Sequence, residues 1–384
     1  MTQTKALFNL GFRPFYLLAA LLATLGLPIW LAQYFGILSA PAYLSGVAWH
    51  AHEMVFGFAA AVITGFLLTA ARNWTGLPTP TGALLAVLAG LWLLGRLLLV
   101  SGPGWLAAAL DVAFLPAVAL SLWIPLHRSR NRNQFFVAVL LVFGGANLTF
   151  HLAHAGAIGI GELSAVRFAL YLVVLLVTIM AGRVIPSFTQ NAIPTARIRR
   201  NRTLDLASIA VAGVALASAL AALPAWLVAP LCLAASGLHA ARLWMWDPLC
   251  TRHQPILWIL HLSYAWIPVG LLLMGLAALT AAVPAVLADH ALGAGAAGGM
   301  IIGMITRTAR GHTGLALRVG AAETAAYVLV HVAAAVRVFV PLGWPEGYRL
   351  AIATSGALWS AAFLLYLLVY VPILAAPRLD RKPG

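Results

Sequence analysis

The chain is short of cysteine, of acidic residues and of polar stretches. Of its 384 residues only two are cysteines and nine are acidic. Cys232 and Cys250 form neither a Cys-x-x-Cys nor a Cys-x-x-Cys-His spacing, so no disulfide framework, zinc ribbon or covalently attached c-type haem is encoded. The longest polar block, about Ser187 to Arg202, is far too short for a soluble domain. The opening MTQTKALFNL lacks the charged, then apolar, then small-residue order of a cleaved signal, so the first span is expected to act as the membrane signal. What fills the chain is apolar: 63% hydrophobic and 8% charged residues cannot be hidden in one soluble core, so the solvent must be lipid.

Windows of about 20 apolar residues, enough to cross a bilayer, recur at 14–36, 47–70, 82–101, 104–126, 135–157, 163–186, 203–223, 225–246, 255–281, 284–308, 320–342 and 347–375. The expectation is an all-α, polytopic bundle of about twelve transmembrane helices forming a single transmembrane domain over 1–384. Lys and Arg mark cytoplasmic loops, and with alternating helices nearly all of them fall on one side, from Lys5 through the Arg128–Arg132 and Arg197–Arg202 clusters to Arg381 and Lys382. Both termini are therefore expected in the cytoplasm, with the chain in a bacterial inner membrane. The net charge of +14 is then a matter of topology, with lipid as the partner and no nucleic acid.

A shift of 238 residues places His52 on His290, Gly57 on Gly295, Gly65 on Gly303, Arg72 on Arg310 and Thr75-Gly76 on Thr313-Gly314. This suggests an internal repeat of the second and tenth spans. The glycines from Gly293 to Gly303 allow either close helix approach or room for a flat cofactor.

Ionisable groups inside a membrane are costly and tend to mark a site. With the topology above, His50, His52, Glu53, Arg96, Asp111, His151, His154, Asp289, His290 and Arg337 all fall toward the outer side. At 100° per residue His50 and His52 point about 160° apart and cannot ligate one metal from a regular helix. Asn147, His151 and His154 share a stripe on which two imidazoles could meet. Neutral imidazole suits haem iron and copper; Arg96, Arg167 and Arg337 are candidates to pair haem propionates. Asp111 and Asp289 are expected to neutralise arginines, and Glu53 to carry protons. A looser group lies toward the cytoplasm: Arg183, His239 with Arg242, His261 with Tyr264, and His312.

Several segments together resemble the NnrS family: GFRPFYLL from Gly11, WHAHEMVFGFAAAVITGFLLTAARNWTG from Trp49, ANLTFHL around His151, GRVIPSFTQN from Gly182, LHLSYAWIPVG from Leu260, HALGAGAAGG from His290 and TRTARGHTG from Thr306. The resemblance implies a haem- and copper-containing membrane protein of nitric oxide metabolism, linked to denitrification and nitrosative stress. With b-type haem and copper so implied, the expected activity is that of a nitric oxide reductase-like oxidoreductase, and because the chain encodes neither covalent haem nor a soluble redox domain, a quinol or a separate redox protein is expected to donate its electrons. Carried onto this chain, the family-like motifs contain His50, His52, His151, His261, His290 and His312, with Arg183 and Arg307 as arginines; His154 lies outside them. By analogy the bundle is also similar to the haem-copper oxidases, where two such histidines separate two cofactors. The alternatives are a transporter of metal or haem, and a nitric oxide sensor or assembly factor without turnover.

Overall fold

In a computed structural model of the chain, residues 6–39 and 43–378 are described; Lys5, Arg381 and Lys382 of the charge pattern lie outside them. Among the described residues every regular element is helical. Twelve helices are long and apolar enough to cross a membrane: α1 Phe12–Tyr34, α2 Gly46–Thr75, α3 Gly82–Ser101, α4 Gly104–Arg128, α5 Arg132–His154, α6 Glu162–Ala192, α7 Arg202–Leu220, α8 Ala225–Trp244, α9 Pro255–Leu279, α10 Ala285–Thr313, α11 Ala321–Gly343 and α12 Pro345–Ala375. The tightest junctions are separated by local backbone chemistry. Pro103, extended at ψ 130°, precedes α4, and Pro224 likewise precedes α8 after Ala222 takes a left-handed φ of 49°. Proline suits the edge of a helix, where its missing N–H costs nothing.

Contacts fall into two compact units. The first comprises Met1–Ala169, Arg307–Leu317 and Phe363–Gly384; the second comprises Leu170–Thr306 and Arg318–Ala362. In the first, α2 packs on α1 and α4, α4 packs on α3 and α5, and buried Arg13 donates to the carbonyls of Leu374 and Ala376, each at 2.7 Å, tying α1 to the end of α12. In the second, α9 is the centre, packed by α8, α10 and α11.

Two helices are not regular. α2 widens into a π-helix over Glu53–Ala59, and α10 does so over Ala291–Gly298. Each begins directly after a histidine, His52 or His290, and the 238-residue shift that aligns the sequence motifs carries the start of one π-helix onto the start of the other. The repeat therefore extends to backbone geometry. π-helices are uncommon and concentrate at functional positions.

The glycines of α10 serve close packing. A Cβ at Gly295 would lie 2.3 Å from the Trp266 ring, one at Gly298 2.4 Å from Trp359, and one at Gly299 2.5 Å from the Ser263 hydroxyl. Side chains of α9 and α12, and no vacant slot for a flat cofactor, occupy those surfaces.

Candidate metal centre

The first unit brings five buried polar side chains from four helices to one point: His52 and Glu53 of α2, Arg96 of α3, Asp111 of α4, and His151 of α5, with Asn147 one turn before it. The Asp111 carboxylate is the hub. Its Oδ2 lies 3.1 Å from His52 Nε2 and 2.9 Å from His151 Nε2 and accepts from Asn147 Nδ2 at 2.7 Å, while Oδ1 pairs with the Arg96 guanidinium. Asn147 Oδ1 faces His52 Nε2 at 2.9 Å. On the other side of its ring His52 Nδ1 meets Glu53 Oε1 at 3.1 Å, and Arg96 Nη1 approaches that same oxygen at 3.3 Å.

The π-helix of α2 begins at Glu53, within this cluster. Within it the Gly57 carbonyl accepts from both the Ala60 N–H and the Trp92 indole, the latter at 3.2 Å, and Arg96 lies over the face of that indole at 5.6 Å. Gly57 has no room for a side chain: a Cβ would lie 2.7 Å from Leu22, and 3.0 Å from both Arg96 Nη1 and Glu53 Oε2.

Charge accounting gives the site its chemistry. With neutral histidines, Glu53 and Asp111 contribute two negative charges and Arg96 one positive, so the buried cluster is one cation short. Both nitrogens of His52 also face oxygen acceptors, which a neutral ring with a single N–H cannot satisfy. A proton on His52 or on a carboxyl group, or a metal ion between the imidazoles and Asp111, closes the deficit. Ligand atoms of His52, Asp111 and His151 all lie within 4.8 Å of one another, so small shifts bring them to the roughly 2.0–2.2 Å at which nitrogen and oxygen hold a first-row ion.

The outer shell is already in place. The second nitrogen of His52 is held by Glu53, and that of His151 by the Tyr43 hydroxyl at 2.9 Å. Such partners orient ligating histidines and fix the tautomer. Burial, and then the charge of Glu162, raise the Tyr43 phenol above its usual range, so Tyr43 keeps its proton at neutral pH. A haem does not fit on His52. That ring is fully buried, Phe150 and Phe56 lie 4.6 Å and 5.1 Å from it, and Asn147 and Asp111 cover Nε2.

Other candidate residues are distributed differently. His50 is half-buried and stacked on Trp30 at 4.2 Å, apart from the face that His52 presents. His154 does not share a centre with His151, as the common stripe suggested; its Nδ1 turns to Glu162 Oε2 at 2.6 Å and its Nε2 to the Tyr43 carbonyl at 3.1 Å. His312 lies against the Phe12 ring. Asp111 is more than a neutraliser of arginine, because it also receives both imidazoles.

In the second unit, Tyr264 bonds His239 Nδ1 at 2.6 Å and accepts from Arg242 at 2.9 Å, and Arg242 Nε donates to Asp205 at 2.7 Å. Gly182 of the GRVIPSFTQN segment exists for this arginine, whose Nη2 a Cβ there would overlap. Arg183 beside it is exposed, so the buried arginine of this region is Arg242. His261 pairs with Thr189 at 2.9 Å, and Arg337 lies over Tyr348, to whose hydroxyl it donates at 3.2 Å. His290 Nδ1 donates to the Val286 carbonyl at 2.8 Å.

A family model described as NnrS protein matches residues 6–378. No curated protein matches the chain.

Proposed function

Because the chain belongs to the NnrS family, we propose that it is a nitric oxide-consuming oxidoreductase whose metal ion, copper, is held by His52, Asp111 and His151. The observation that carries this reading is the buried cluster in which two imidazole nitrogens converge on one carboxylate oxygen. Two nitrogens and an oxygen form a donor set that copper, the tightest binder of the divalent series, accepts. Family membership ties a nitric oxide role to a multi-pass membrane protein, and the twelve spans agree with it.

Bound copper would supply a site for a diatomic ligand and a path for electrons. The chain's own residues do the rest. Asp111 and Arg96 fix the charge of the cluster, and Asn147 and Tyr43 hold the rings in register. Glu53, shared between His52 Nδ1 and Arg96, is placed to hold a proton beside the ligand. Nitric oxide is neutral and lipid-soluble, so a site enclosed in the bilayer needs no polar channel. A b-type haem is the second group that the resemblance implies. Electrons come from a quinol or a redox protein. On this reading the arginine-rich loops face the cytoplasm of a bacterial cell, and the metal cluster lies toward the opposite face of the inner membrane.

The test is purification after growth with iron and copper, followed by metal analysis, reduced-minus-oxidised spectra and nitric oxide consumption with an artificial donor. Copper, a haem spectrum and turnover are expected. Glu53→Gln should bind copper more weakly and, when loaded with excess copper, lose about 10²–10⁴-fold in rate, the range of a lost proton donor. Protein that holds copper but never consumes nitric oxide would leave a binder without catalysis.

A further inference from the structure

The buried set raises a question of delivery, since His52, Asp111 and His151 are only 0 to 4% exposed. A hydrated cation cannot reach them directly and must exchange water for protein ligands on the way. At the end of α5 away from the arginine-rich loops stands His154, one turn beyond His151, and across the turn at the start of α6 stands Glu162, with side chains 26% and 30% exposed. Resting on the metal-centre reading, we propose that His154 and Glu162 form an acquisition site that takes a divalent transition-metal cation from water and passes it beneath Tyr43 to the buried set.

Three observations carry this. First, the pair is oriented as ligands are. The Tyr43 carbonyl can only accept, so His154 Nε2 carries a proton toward it at 3.1 Å. Its Nδ1 meets Glu162 Oε2 at 2.6 Å, a hydrogen bond whose proton an incoming cation displaces to take the nitrogen and the carboxylate oxygen together. A nitrogen and a carboxylate oxygen thus converge where water still reaches. Second, Tyr43 serves both stations. Its carbonyl holds His154, its hydroxyl holds His151 Nδ1, and its ring lies stacked on His151 at 5.8 Å and edge-on to His154 at 5.0 Å. Third, His151 and His154 are three residues apart, which makes them neighbours along one helix face about 5–6 Å apart at Cβ. A cation released by one imidazole is within a single step of the next. Charge favours uptake at this end: loss of the shared proton leaves the pair with the negative charge of Glu162, and the loop from 155 to 161 contains no lysine or arginine to repel a cation.

A pair that only closed the turn between α5 and α6 would affect stability and leave loading alone. The experiment therefore reads loading. Full-length apo-protein is mixed with substoichiometric Cu²⁺, and the appearance of the buried-site signal is followed by electron paramagnetic resonance, together with final occupancy after long incubation. Glu162→Gln and His154→Gln should slow loading about tenfold or more, the scale on which metal-site partners act, yet reach wild-type occupancy. Glu162→Asp should load nearly as fast as wild type. Asp111→Asn, with the inner site disabled, should still hold one weakly bound, chelator-exchangeable ion. Loading of both glutamine variants at the wild-type rate overturns the acquisition site while leaving the buried centre intact. A wild-type protein that takes up no ion overturns the buried centre and the acquisition site together.

Discussion

Asp111 bears most of the weight at the scale of single residues. One carboxylate accepts from an arginine, an asparagine and two histidines, so removing it orphans several buried groups at once. Asp111→Ala is expected to destabilise the folded protein by about 3–5 kcal/mol, the cost of breaking a buried ion pair from one side, as read by chemical unfolding in detergent. Gly57→Ala should be nearly as disruptive to the site, because the added methyl intrudes between Leu22, Arg96 and Glu53; its measurable outcome is loss of bound copper from protein that still elutes as folded material. Metal binding here requires Nε2 of both imidazoles unprotonated, so copper affinity should fall as pH is lowered and rise again on return. The sequence disclosed that Asp111 and His151 were ionisable groups in lipid, but not that they met. Spacing relates residues on one helix, and the meeting of α4 with α5 is a product of packing. The same limit explains His154, which shares a stripe with His151 but is drawn off by Glu162, a residue beyond the turn.

At the scale of elements, apolar windows located all twelve spans to within a few residues, because hydrophobic length is a property of the segment alone. The π-helices were not legible in that way. An extra residue in a turn leaves hydropathy unchanged, and the 238-residue repeat aligned Gly57 with Gly295 without disclosing the backbone there. Deleting one residue within Glu53–Ala59 would restore an α-helical turn and rotate His52 by about 100° relative to the rest of α2. Such a protein is expected to insert and keep its helical circular dichroism while losing the buried ion. Retention of the ion would mean that the π-turn does not aim His52.

For the whole molecule, the charge asymmetry of the loops gives an orientation that can be read chemically. In a Cys232→Ser, Cys250→Ser background, a cysteine placed at Gly159 should react with an impermeant maleimide on intact spheroplasts, and one placed at Arg130 only after the membrane is opened. The reverse pattern would place the metal cluster on the cytoplasmic side. The two compact units divide the polar chemistry between them, one with the His52–Asp111–His151 cluster and one with the Arg242–Tyr264–His239 network. Sequence order could not foresee that division, because the last turns of α10 and the second half of α12 belong to the first unit. The most direct test of the account is X-ray absorption at the copper edge on the purified protein. Wild-type protein should contain one copper ion coordinated by two imidazoles and at least one oxygen at about 2.0–2.2 Å, with the imidazole scattering halved in His151→Ala. An unchanged copper environment in both His52→Ala and His151→Ala would contradict it.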